Sequence, residues 1–284
     1  MALDESRVAL SLLGHIGIKT LTHLLAHFET CDAILEASVD DLKQVRGIGQ
    51  KIADAITSID IDIVRRDIEK WQQSGVRILP YNSDDYPKIL RDLDDAPLLL
   101  FARGQYQPEK WQNAVAIIGT RQPSKEAKKF AFDLAHNLAK SGRAIISGLA
   151  LGIDSAGHRG ALQADTAPTI AVLGGGVLNI YPTQHVALAE TILEKGAILS
   201  ENEPNATSSA PRLVTRNRII SGLCQDIVVV QSDIKGGAMH AVKSAERQER
   251  RVYTPDWDFS GNQALLHNGA TALNPQNPML ASSE

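Results

Sequence analysis

Two arginine-bearing stretches hold the side chains with which this chain could do chemistry. Gly119-Thr120-Arg121 ends the apolar run AVAIIG, so a cation follows a glycine where a strand hands the chain to a turn. Further on, APRLVTRNRIISGL packs Arg212, Arg216 and Arg218 into seven positions, with Asn217 between the last two. Two more apolar runs end in Ser147-Gly148, with Gly152 and Asp154 close behind, and in Gly174-Gly175-Gly176. Glycine lets a backbone approach a ligand closely, and a helix N-terminus presents unpaired N–H groups to an anion. Guanidinium groups neutralise phosphate and can also stack on unpaired bases. One such turn alone would be a tight turn; three at one sheet edge read as a phosphate-binding site. The phosphate could belong to a nucleotide, a dinucleotide or a nucleic-acid backbone.

Motifs for other chemistries are missing from the sequence. No GxGxxG follows the first strand, GGGVLN stands in the wrong register, and GHIGIKT has the Lys-Thr ending of a P-loop without its spacing. No GxSxG is present. His23 and His27 lie one helical turn apart without an HExxH, and Cys31 and Cys224 form no CxxC. No cofactor, no metal and no catalytic residue are therefore expected.

The charge is local. The whole chain of 284 residues carries a net of -4, which does not announce a nucleic-acid binder. Residues 205–253, however, hold eight basic side chains against four acidic, and residues 54–95 hold six basic against ten acidic. The first segment is expected to meet an anion and the second to face away from it. Arg247, Arg250 and Arg251 read as a solvated helix face.

Elements that could position these residues follow from periodicity. LLGHIGIKTLTHLLAHFE and VDDLKQVRGIGQKIADAITSI each set a glycine turn between helical apolar patterns, so residues 1–70 read as a small all-helical domain. Residues 71–110 form a connector and lead-in, with RILPY a candidate edge strand. From Ala114 the runs AVAIIG, AIISG, TIAVLGG, AILSE and DIVVVQS are short and nearly uninterrupted, as in parallel strands covered on both faces. Ala127, Phe130, Ala131, Leu134, Ala135 and Leu138 recur at helical spacing between the first two runs, with Lys125, Lys128, Lys129 and Lys140 on the other face. The fold class is thus α/β, a doubly wound, mostly parallel sheet over residues 111–273. Residues 238–248 predict a helix with Ala238, Ala241, Val242 and Ala245 at close-packing positions. Residues 274–284 read as a flexible tail. With no basic leader and no apolar run of membrane-spanning length, a cytoplasmic protein is expected.

Taken in order and spacing, IIGTRQPS, ISGLALGIDSAGHRGAL, TIAVLGGGVLNIYP and TRNRIISGL resemble the DNA-processing protein A family (DprA, also called Smf). The similarity runs from about Ala114 to Tyr253, and YPKILRDLDDAPLLLFARG resembles the family's lead-in. The resemblance implies a Rossmann-like domain preceded by a sterile-alpha-motif-like domain of helix-hairpin-helix character. It also implies binding of single-stranded DNA, loading of a RecA-type recombinase during natural transformation, and a homodimer. Carried over by position, Gly119, Thr120, Arg121, Ser147, Gly148, Arg216, Asn217 and Arg218 should contact the strand, Arg121 above all. Arg212 is added by its charge. Lys235-Gly236-Gly237 replaces the family's Ser-Gly-Ser/Thr turn, with Lys235 and Gly236 as the corresponding phosphate ligands. Leu213-Val214 stands where the family usually has Phe-Pro, Leu151 where arginine is frequent, and the sequence ends without the winged-helix domain many members carry.

The alternative is a nucleotide sensor or a nucleotide-processing protein like the LOG-type phosphoribohydrolases, which share the broad fold. Those enzymes carry a PGGxGTxxE turn. Here residues 235–242 read KGGAMHAV, without the glutamate that glycosidic cleavage needs. The expectation is a binding protein that performs no chemistry. The Gly47-Ile48-Gly49 hairpin, flanked by Arg46 and Lys51 but close to Asp40, Asp41 and Asp54, reads as a packing or protein-interaction element.

Overall fold

A computed structural model describes residues 3–276 and 280. Six helices come first: α1 (Glu5–Leu12), α2 (Ile18–Phe28), α3 (Cys31–Glu36), α4 (Val39–Lys43), α5 (Gln50–Thr57) and α6 (Ile61–Gln73). Asp4, Thr30, Ser38 and Asp60 start four of them by accepting from amides of the first turn. The two glycine turns bury Ile16 and Ile48 in a shared core with Leu10, Leu24, Leu42 and Ile56. Helix α6 runs through residue 70, and its last turn sets Trp71 edge-on against Phe101 at 5.3 Å, which ties the helices to the sheet.

The sheet has nine strands: β1 (Arg77–Pro80), β2 (Leu99–Gly104), β3 (Val115–Ile118), β4 (Ile145–Ser147), β5 (Thr169–Val172), β6 (Ala197–Ser200), β7 (Asp226–Val229), β8 (Arg251–Pro255) and β9 (Thr271–Leu273). Their order is β1-β2-β6-β5-β4-β3-β7-β8-β9. β2 is antiparallel to both β1 and β6, and every other pairing is parallel. The five apolar runs became β3 to β7, each wholly buried, as expected for strands covered on both faces. RILPY supplies the edge strand β1, and the apolar run of the lead-in is itself a strand, β2, inside the sheet.

Two layers of helix cover the sheet. Helices α8 (Lys125–Lys140) and α9 (Ile153–Ala164) pack on Val115, Ile117 and Ile145, and α10 (Val186–Lys195) joins α1 and α6 over Phe101, Ala171 and Ile198. On the opposite face lie α7 (Lys88–Arg91), α11 (Ala210–Gly222), α12 (Ala238–Arg247) and α13 (Ser260–His267). The small residues of α12 point inward: Ala238, Ala241, Val242 and Ala245 are at most 9% exposed and belong to this core. They hold the helix close to the sheet, so they offer no surface for pairing two copies.

From β3 the chain winds through β4 and β5 to β6 on one side, then returns to place β7 on the other. That reversal leaves a crevice at the carboxyl end of β3, where such sheets bind ligands. Among the described residues no helix is long and apolar enough to cross a membrane, and no group of His, Cys, Asp and Glu could hold a metal ion. Part of the expected tail, residues 277–279 and 281–284, lies outside the described residues.

Candidate functional site

A cleft of about 780 Å³ occupies the crevice. Its walls are the turn after β3, the segment 232–237 after β7, the first turns of α11 and α12, and Asp154 of α9. Six of the residues expected from the sequence line it: Gly119, Thr120, Arg121, Arg216, Asn217 and Gly236.

The turn after β3 is rigid. Thr120 donates its N–H to the Gln231 carbonyl at 2.8 Å, its carbonyl accepts from Ile153 at 3.2 Å, and its hydroxyl accepts from the Gln122 amide at 3.2 Å. A Cβ on Gly119 would lie 2.7 Å from Ile153 and 2.9 Å from the Gln231 carbonyl, so only glycine lets β3 end this close to α9. What this scaffold displays is Arg121, which is exposed and has neither hydrogen bond nor ion pair with any described residue.

Arg216 is different. It is 5% exposed, and its guanidinium donates to the Gly148 carbonyl at 2.9 Å and to the Val172 carbonyl, clamping the ends of β4 and β5. Burial pushes its pKa down to about 10, against the pull of Asp154 and with a push from Arg121. Asp154 is buried too; desolvation raises its pKa, while Arg216 and the amides of Ala150 and Gly148 pull it back. The Gly148 amide donates to the Asp154 carboxylate at 3.1 Å.

These contacts correct the reading of Ser147 and Gly148 as strand ligands. Ser147 is fully buried and donates its hydroxyl to the Ile117 carbonyl at 2.6 Å. Both backbone groups of Gly148 are engaged inside the protein, and a Cβ there would stand 2.5 Å from the Arg216 guanidinium. The glycine makes room for the Arg216 guanidinium, and it also lines a small recess shared with Arg121. Arg218 also lies outside the cleft, paired with Glu201 at 2.6 Å and Asp95 at 3.7 Å. Arg212 donates to the Thr207 carbonyl at 2.7 Å, and Lys235 is exposed beside Gly236 at the rim. Gly174, Gly175 and Gly176 pack against the backbone of residues 203–213 instead of opening on the cleft.

Several groups in the cleft escaped the sequence reading. The Ser208 hydroxyl and the Arg216 Nε are buried without a partner and belong to residues that line it. No side chain caps α11, so the Ala210 amide at its start is open to the cleft, whereas in the first turn of α12 the Met239 and His240 amides already donate to the Gly236 and Gly237 carbonyls at 3.0 and 3.3 Å. Ser209 before Ala210-Pro211 is the signal that could have placed the start of α11. Tyr181, 48% exposed, and Leu213 form the apolar side of the cleft. The site can therefore neutralise and hydrogen-bond an extended anion while offering apolar contact along one wall.

Comparison with known proteins places this geometry among relatives. Residues 77–283 match the family described as DNA recombination-mediator protein A, and residues 7–59 match a helix-hairpin-helix motif. The sequence is 33% identical to the protein Smf of Synechocystis sp. over 97% of this chain and 71% of that one. It is also 33% identical to the DNA processing protein DprA of Bacillus subtilis over 73% of this chain and 71% of the relative. The fold superposes on the crystal structure of DprA from Streptococcus pneumoniae with a TM-score of 0.80 and 26% identity, covering 96% of this chain and 95% of the other. A structure of DprA from Helicobacter pylori, described for its single-stranded DNA binding mode, matches with a TM-score of 0.64 and 31% identity over 71% and 92% of the two chains.

Proposed function

The chain belongs to the DNA recombination-mediator protein A family, and from that premise we propose that it binds single-stranded DNA in the cleft beside β3. The observation that carries this reading is Arg121, a cation on a hydrogen-bonded turn, exposed and unpaired among the described residues, in a cleft that also receives the uncapped N-terminus of α11. Phosphates of an extended strand would meet Arg121 and the open amide of Ala210, with Thr120, Asn217, Gly236 and the rim residue Lys235 alongside. Arg216, buried with its Nε, supports the site from beneath. In this reading the site binds and orders its ligand, and Asp154, its buried carboxylate, serves the structure, engaged by two amides beside Arg216.

In this role the protein protects single strands and hands them to a RecA-type recombinase in DNA uptake and recombination, in the cytoplasm. Family resemblance supports the recombinase and a homodimer; the surface of α12 does not contribute to the latter. The expected division at residues 70 and 110 is bridged by packing, since α1 and α6 lie on the sheet and β1 and β2 of the lead-in belong to it, so the helical part supports the sheet-bearing part that would hold the DNA.

Titration with single-stranded DNA, duplex DNA and mononucleotides at two salt concentrations tests the reading. Single strands should bind more tightly than duplex, with a log–log salt slope of about -0.7 per phosphate neutralised. Salt-insensitive binding, equal affinity for duplex, or binding of mononucleotides alone would overturn it.

A further inference from the structure

We propose that Tyr181 is the base-stacking side chain of this cleft and the source of its preference for unpaired strands, an inference that rests on the single-strand reading above. Three of the large apolar side chains exposed at the surface, Leu151, Tyr181 and Val214, gather at this one place. The other tyrosines, Tyr81, Tyr86, Tyr106 and Tyr253, are buried or half-buried. Tyr181 alone among them turns nearly half its surface to water. Its hydroxyl has no hydrogen bond with any described residue, so nothing polar explains why the ring stands there.

The chain on either side of Tyr181 is held. Upstream, Leu178 donates its amide to the Pro204 carbonyl at 2.8 Å and Asn179 donates to Gly176 at 3.0 Å. Downstream, the His185 amide donates to the Pro182 carbonyl at 2.9 Å, and the buried His185 ring bonds the Leu149 carbonyl through Nδ1 at 2.8 Å. With the flanking backbone fixed, only the side chain itself has to be ordered when a ligand lands on the ring.

Its neighbours complete the argument. Tyr181, Pro182, Leu213, Leu151 and Arg121 enclose a recess of only about 30 Å³, the room of about one water molecule. A base cannot enter that crack, but the same ring also walls the cleft of about 780 Å³, where a base has room to lie against it. Arg121, on the same recess, can then take the adjoining phosphate. Every base has an apolar face, so stacking is indifferent to sequence but requires a base that is free of a duplex stack. Apolar ring and cation side by side thus select single strands, which phosphate contacts alone do not.

The test titrates the full chain and its Tyr181→Ala and Tyr181→Phe variants with a strand of about 15 thymidines, a length near the upper end of a binding site of this kind, and with an abasic strand of equal length. Tyr181→Ala should weaken binding to thymidine about ten-fold, while Tyr181→Phe stays within about two-fold. On the abasic strand the parent and Tyr181→Ala should bind alike, with equal salt slopes. An alanine variant that loses nothing on thymidine, or loses as much on the abasic strand, overturns the inference and leaves single-strand binding standing. Failure of the parent to bind either strand overturns both.

Discussion

The turn after β3 and the first half of α11 both look like anion-binding sequence, since each brings arginine to the carboxyl edge of the sheet. Their fates differ. Arg121 stands alone on a turn locked by Thr120, whereas Arg212, Arg216 and Arg218 each have partners within the protein: a loop carbonyl, two strand-end carbonyls, and two carboxylates. Charge density along a sequence therefore overstates ligand capacity. What counts is the charge left over after the fold has satisfied its own carbonyls and carboxylates, because an exposed and unpaired cation gives up only water and rotamer freedom when a phosphate arrives, and no bond within the protein.

The sharpest way to break that comparison is to exchange the expected consequences of two substitutions. Arg216→Ala removes a buried donor from two carbonyls and leaves the buried Asp154 without its cation, so it should cost about 3–5 kcal/mol of stability, read from urea unfolding. A fully stable variant with lost DNA binding would show that Arg216 is a ligand after all. Arg121→Glu should do the opposite: melting stays unchanged while single-strand affinity falls about 100-fold, equivalent to about 2.7 kcal/mol, and the salt slope shrinks by about 0.7 for the lost phosphate contact. Unaltered affinity in a filter-binding or anisotropy titration would remove Arg121 from the site.

Gly148→Ala sharpens the same contrast from the other partner. Its methyl group would press on the Arg216 guanidinium at 2.5 Å, so overpacking should destabilise the fold by about 1–3 kcal/mol. Any loss of DNA affinity should then track the loss of folded protein. The smallest effect on binding is expected at Arg218, already shared between Glu201 and Asp95. Arg218→Gln should cost about 1–3 kcal/mol of stability, because the mostly buried Glu201 loses its cation, and leave single-strand affinity of the folded protein within about two-fold; a ten-fold drop would return that arginine to the interface.

Much of the architecture is readable without coordinates, for a local reason. A strand covered on both faces must be mostly apolar, and β3 to β7 are, with Ser147, Thr169, Ser200 and Asp226 only at their ends; a helix lying on a sheet must repeat its apolar residues every three or four positions, and α8 does. Both patterns are written in neighbouring residues. So is the chemistry of Gly119-Thr120-Arg121, because a glycine at a strand end and the cation after it are adjacent in the chain.

The division of labour among the arginines is not local, and only the tertiary structure decided it. Arg216 finds Val172 and Gly148 across 44 and 68 residues of chain, and Arg218 finds Asp95 from the far side of the sheet's own lead-in. The same holds for the small residues of α12, whose spacing suits a partner helix or a sheet equally and which the sheet took. It holds for Tyr181 as well, since an aromatic residue carries no sign in the sequence of whether its ring will be buried or displayed. Periodicity records which face of an element is apolar; which group meets which depends on how elements distant in the chain are stacked, and that is settled only when the whole core packs.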